Sequence, residues 1–214
     1  MRVGVLHTVP ALVPVFHGLL TEDRADLDIV HVADASLLSR AIASGITDDV
    51  EGDLRRHLSA LRDAGATAVL VTCSSIGEAA TDAASAVGVP LVRVDAAMAK
   101  TAVERAKAGS GRVLVLATLA ATLGPTSRLV QSSPGADDVE VTALVVEGAA
   151  DARAAGDQAR HDRLISDAIA DAGDVDVIVL AQASMATGAG DDPRVLTSPA
   201  TGAASFLASL EVSG

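Results

Sequence analysis

The stretch VLVTCSSIG, Val69 to Gly77, carries the only cysteine of the chain. An apolar run ends in Thr72 and Cys73, and two serines precede an Ala-rich segment with helical character. At a strand end before a helix, a thiolate is stabilised and acts as base or nucleophile, while Ser74 and Ser75 offer hydroxyls and amides to a carboxylate. The alternative is a small buried side chain, the usual fate of a reduced cysteine. A second stretch, VIVLAQASM at Val177–Met185, has the same profile, with Gln182 in place of the cysteine and Ala183 and Ser184 behind it. The Gln182 amide either orients a substrate carbonyl, stabilises an enolate oxygen, or ends a strand. Ser184 either caps the next helix or touches ligand. Thr8, Thr118 and Thr122 are carboxylate donors or turn and cap hydroxyls. His7 titrates near neutrality and ends the first apolar run, so it is either an acid/base group or a hydrogen-bonded structural residue. His17, His31, His57 and His161 show no ligand spacing and read as surface or core positions.

These residues sit on a pattern that repeats. RVGVLHT at Arg2–Thr8 returns as RVLVLAT at Arg112–Thr118, and DAG at Asp63–Gly65 returns at Asp171–Gly173. Each DAG is followed by an apolar strand, AVLVTC or DVIVLAQ, which aligns Cys73 with Gln182. The first copy reads as strands at Val3–Leu6, Leu27–Val32, Val69–Thr72 and within PLVRV. Helical patterns cover Ala11–Leu20, Asp53–Ala64, the segment ending at Gly88, and Asp95–Lys107. The second copy gives strands near Val113–Leu116, Val139–Val145, Val177–Leu180 and Val195–Thr197. Its helices fall at Pro125–Gln131, Asp157–Ala172 and Ala200–Leu210.

Val- and Leu-rich strands alternating with helices predict an α/β fold of two pseudo-symmetric lobes, each a parallel sheet of about four strands flanked by helices. The lobes are expected over residues 1–95 with 199–214, and over 96–198, with AKAGSGR at Ala106–Arg112 as the best linker by composition. Ligands of open α/β sheets bind beyond the carboxyl ends of the strands, so HT, TCSS, ATLAAT and AQAS would line a cleft between the lobes. Its hydroxyls and helix N-terminal amides suit a carboxylate without any Arg or Lys.

Composition narrows the partners. Half the residues are hydrophobic, but only two are aromatic, both Phe, so the core must be built from aliphatic side chains. Sixteen basic residues against 28 acidic ones give a net charge of −12, which argues against nucleic acid and anionic membrane surfaces. One cysteine makes no internal disulfide, and no Cys/His cluster has zinc spacing. No Walker loop, dinucleotide fingerprint or Mg²⁺ carboxylate cluster is present, so no cofactor is expected. The apolar run in MRVGVLHTVP is too short for a signal peptide, and the chain reads as cytoplasmic.

Two α/β copies, LVTCSSIG after the third strand, VLVLATLAATL opening the second half and VIVLAQASMA late in the chain resemble the aspartate/glutamate/hydantoin racemase superfamily. The resemblance covers nearly the whole chain in order. It implies a cofactor-independent enzyme of a group that includes racemases, maleate isomerases and arylmalonate decarboxylases. It also implies a small anionic or amide-containing substrate and a homo-oligomer. Racemases of that group carry one cysteine per lobe, one thiolate removing the α-proton and the other thiol protonating the opposite face. Cys73 matches the first position. The second lies in a pattern like Leu-Gly-Cys-Ala-Gly-Met, which here reads Leu180-Ala181-Gln182-Ala183-Ser184-Met185. Gln cannot exchange a proton as acid or base, so two-thiol racemisation loses half its machinery. One-thiol chemistry remains: isomerisation through a cysteine adduct, decarboxylation with one-sided protonation, racemisation with another second base, or ligand binding without catalysis. The resembling decarboxylases keep their cysteine in the other lobe.

Overall fold

The computed structural model describes residues 1–22 and 24–212, and the last two residues of the 199–214 segment lie outside this range. The chain forms two compact units, Met1–Val94 with Pro199–Gly214, and Asp95–Ser198. The Gly/Ser stretch at Ala106–Arg112 is therefore not the junction. It turns the chain within the second unit, where the carboxylate of Asp176 accepts from the backbone N–H groups of Ser110 and Arg112.

In the first unit four parallel strands run β2-β1-β3-β4: β1 (Arg2–His7), β2 (Asp28–Ala33), β3 (Val69–Val71) and β4 (Leu91–Arg93). Helices α1 (Val13–Thr21), α2 (Ala35–Ser44), α3 (Asp48–Asp63) and α4 (Gly77–Val87) connect them. Side chains alternate across the sheet. Leu6, Val69 and Val71 pack with Leu37 of α2, Leu54, Leu58 and Leu61 of α3, and Ala80, Ala83 and Ala84 of α4. Gly4 belongs to the same face, and a Cβ there would lie 3.1 Å from a Leu61 methyl. Helix α4 stops at Gly88, whose φ of +72° is the left-handed turn that glycine makes without strain.

Three differences from the sequence reading stand out in this unit. Helix α2 was not anticipated. It starts where the Asp34 carboxylate accepts from the Ser36 N–H at 2.9 Å, and its buried face is only Leu37 and Ala41. Helix α3 begins five residues before Asp53, because Asp48, Asp49 and Glu51 fill a first turn that favours acidic side chains. The Ala11–Leu20 pattern also divides, into a 3₁₀ turn at Pro10–Leu12 and α1.

The second unit repeats the arrangement with strands β5 (Arg112–Ala117), β6 (Glu140–Val145), β7 (Val177–Leu180) and β8 (Val195–Leu196) in the order β6-β5-β7-β8, all parallel. Its helices are α5 (Ala96–Lys107), α6 (Ala120–Gln131), α7 (Ala149–Ala154) and α8 (Gln158–Ala170). Val113, Val115, Val177 and Val179 face α5 and α6, whereas Leu114, Leu116, Ile178 and Leu180 face α8. Helix α6 starts five residues before Pro125 and carries it internally, and the short α7 was likewise unmarked in the sequence. Leu6 pairs with Val71 in one sheet and Leu116 with Leu180 in the other, so matching strand ends keep one register.

The last helix, α9 (Ser198–Val212), returns the chain to the first unit. Gly202 meets the end of β4 so closely that a Cβ would sit 2.3 Å from the Val94 carbonyl oxygen and 2.6 Å from a Val94 methyl. Gly202→Ala is expected to lower stability by about 2 kcal/mol despite alanine's better helix propensity, because backbone has to shift. Urea denaturation checks this, and a variant as stable as the parent would refute the contact. Among the described residues, no helix is long and apolar enough to cross a membrane.

Candidate functional site

In the first unit the chemistry-bearing residues gather at the carboxyl ends of the two central strands. The ladder continues one step past β3, where the Thr72 N–H donates to the Leu6 carbonyl at 3.0 Å, and the chain then breaks away at Cys73. Cys73 is extended (φ −130°, ψ 115°), half-buried, and packs against the core beneath α2–α4. Between Cys73 and α4 lies a single 3₁₀ turn, Ser74–Ile76, with both serines buried. Cys73 thus heads this turn, and the first residue of α4 is Gly77, four positions on. A Cβ on Gly77 would fall 2.6 Å from Nε of Arg93, so glycine lets the guanidinium from the end of β4 lie along the helix start. Arg93 is not among the residues that sequence pattern marks, which suggest a carboxylate cradle free of Arg and Lys. The available signal was register, which pairs Arg93 with Val71, two residues before Cys73.

Thr8 and Cys73 each stand two residues beyond the paired Leu6 and Val71, on the same sheet face. The Thr8 side chain is buried at 2 % exposure, and its hydroxyl has no hydrogen-bond partner among the described residues.

On the opposite face, His7 is fully buried. Its Nδ1 lies 3.0 Å from Thr72 Oγ1 and its Nε2 3.0 Å from His31 Nδ1. His31 Nε2 in turn lies 3.1 Å from Nδ1 of His17 on the exposed side of α1. Thr72, His7, His31 and His17 form one chain from the interior to the surface, joining β3, β1, β2 and α1. Burial, helped by the neighbouring His31, lowers the His7 pKa to about 4. Burial and His17 lower that of His31. With both ring nitrogens engaged and a neutral ring favoured, His7 is positioned as a link in this chain. His57 pairs separately with Asp34 at 2.9 Å, and His161 is buried against the Ala149 and Ser184 carbonyls.

In the second unit Thr118 and Gln182 take the places of Thr8 and Cys73, two residues beyond the paired Leu116 and Leu180. Gln182 is half-buried, and its Oε1 accepts from the Thr118 backbone N–H at 2.6 Å and from Thr118 Oγ1 at 3.0 Å. Ala183 and Ser184 belong to the 3₁₀ helix Ala183–Gly188, so Ser184 lies inside it and is not its cap; that position is Gln182. The Ser184 carbonyl receives Arg153 Nη1 at 3.3 Å. Thr122 is buried in the first turn of α6.

A family model described as Asp/Glu/Hydantoin racemase matches residues 2–204. No curated protein sequence matches the chain significantly. Among solved structures, the aspartate racemase of Picrophilus torridus superposes with a TM-score of 0.73 at 15% identity, over 98% of this chain and 94% of that one. The glutamate racemase of Bacillus anthracis gives 0.71 at 15% identity, over 100% and 82%. An arylmalonate decarboxylase gives 0.55 at 19% identity, over 100% and 93%. At these identities the superpositions speak for the fold: two parallel four-stranded sheets flanked by helices. With the family model spanning nearly its whole length, the chain belongs to the Asp/Glu/hydantoin racemase family, a family of isomerases.

Proposed function

We propose that this protein is a cofactor-independent isomerase acting on a small carboxylate, amino acid or hydantoin-like substrate through the single thiolate of Cys73. The observation that carries the reading is the pair of equivalent strand ends, one bearing Cys73 with buried serines behind it and the other bearing Gln182. As a base, the thiolate takes the proton α to the carboxylate, giving a thiol and an enediolate; return of a proton to the same face regenerates the substrate, so this route exchanges hydrogen and inverts the carbon only with a second acid. As a nucleophile, it adds to a carbon–carbon double bond, the adduct rotates, and expulsion of the thiolate leaves the isomerised alkene. Only the second route isomerises with one thiol alone. In the second unit, Gln182 offers a side-chain N–H to an acceptor oxygen of a ligand.

The test is hydrogen exchange in D₂O across amino acids, dicarboxylates and hydantoins, with isomerisation of unsaturated diacids followed in parallel. Deuterium uptake with retained configuration, or alkene isomerisation, supports one-thiol chemistry. Racemisation at the rate of exchange would show a second acid that Gln182 is not. Ligand binding with neither reaction would make the chain a binding protein on an enzyme fold.

A further inference from the structure

The contact between Gln182 and Thr118 decides what the replaced cysteine position offers to a ligand. A backbone N–H can only donate, so the Gln182 atom 2.6 Å from the Thr118 nitrogen has to be an acceptor. The reversed amide would bring two N–H groups together, which fixes Oε1 inward and Nε2 away from Thr118. The Thr118 hydroxyl donates to the same oxygen at 3.0 Å, so two donors on one residue hold the amide plane. Among the described residues, Nε2 makes no hydrogen bond, and the residue is only half-buried.

The first unit shows the same position without the long arm. Thr8 stands to Cys73 as Thr118 stands to Gln182, yet the Thr8 hydroxyl is buried with no hydrogen-bond partner among the described residues. Gln182 reaches its threonine because an amide oxygen extends three bonds past Cβ.

We propose that Thr118 is a positioning residue, which locks the Gln182 carboxamide so that Nε2 faces outward as a fixed N–H donor. This rests on the isomerase reading for its substrate, and it deepens that reading. The group meeting Gln182 is an acceptor oxygen of a carboxylate or carbonyl, and a proton donor such as an ammonium group is rejected there. Thr118 acts through Gln182 and leaves the ligand to it.

The test uses the full chain with three variants, Thr118→Val, Thr118→Ser and Gln182→Glu, and maleate as probe. The Gln182 side-chain NH₂ resonances are assigned by their loss in Gln182→Glu. In the parent and Thr118→Ser the amide is ordered on the nanosecond timescale, and in Thr118→Val its order parameter falls. Maleate binding weakens roughly 3–10-fold in Thr118→Val and stays within about twofold in Thr118→Ser. Gln182→Glu, which turns an acceptor toward the ligand, weakens it by at least about 10-fold. An equally ordered amide in Thr118→Val, or Thr118→Ser behaving like Thr118→Val, overturns the lock. If the parent neither binds maleate nor exchanges protons, the isomerase reading fails, while the amide order still decides the role of Thr118.

Discussion

Replacing Cys73 by alanine is expected to slow α-proton exchange or alkene isomerisation by about 10³-fold or more, the usual contribution of a positioned base or nucleophile. The side chain is half-buried at the head of a short turn, one of several partly buried side chains packed against a core that includes Leu6, Leu37, Val71 and Ile76. Losing one sulfur there is expected to cost about 1 kcal/mol or less in stability, so folding and chemistry separate cleanly. Cys73→Ser sharpens the result, because a hydroxyl of similar size stays protonated where a thiol ionises. It is expected to bind substrate like the parent and to turn over as poorly as the alanine variant. Either variant retaining parental exchange would sink the thiolate assignment, and an unfolding midpoint measured alongside excludes a trivial loss.

The second large effect concerns pH and folding. His7 has an ordinary pKa of 6.5 when the chain is unfolded and about 4 when buried against Thr72 and His31. Above pH 6.5 the ring is neutral in both states and the chain of imidazoles is intact. Between pH 6.5 and 4 the unfolded chain takes up a proton that the folded one refuses, so stability falls as pH falls, and below 4 this contribution is fully lost. A shift of that size amounts to about 3 kcal/mol. Burial disfavours the His7 imidazolium, and the neighbouring His31 adds to this. Neutral rings satisfy the chain by each donating from one nitrogen and accepting at the other, whereas a second imidazolium would set donor against donor. His7→Gln keeps a polar group for His31 and removes the titration. It is expected to flatten the difference in unfolding free energy between pH 7 and pH 4.5 relative to the parent. Identical pH slopes in the two proteins would show that His7 is not the buried titrating group.

Much of this architecture is legible in local spacing. Val- and Leu-rich runs mark β1, β3, β5 and β7, and Leu54, Leu58 and Leu61 mark the buried face of α3, because strand and helix periods are properties of a few consecutive residues. The recurrence of RVGVLHT and of DAG aligns Cys73 with Gln182, and the sheets place both two residues beyond paired strand positions. Where packing is thin the spacing is silent: α2 buries only Leu37 and Ala41, and α7 only Ala149 and Ala152, too few to print a helical face.

What the tertiary structure alone decides are partners distant in sequence. Thr118 and Gln182 are 64 residues apart, His7 and Thr72 are 65 apart, and each pair meets because parallel strands in one sheet end side by side. No composition or period encodes that meeting. The sequence therefore determined that one thiol and one amide occupy equivalent strand ends in two α/β units. The fold decided which way that amide points, which histidines are closed off from water, and that Arg93 lies along the start of α4, because each depends on side chains brought together by contacts distant in sequence.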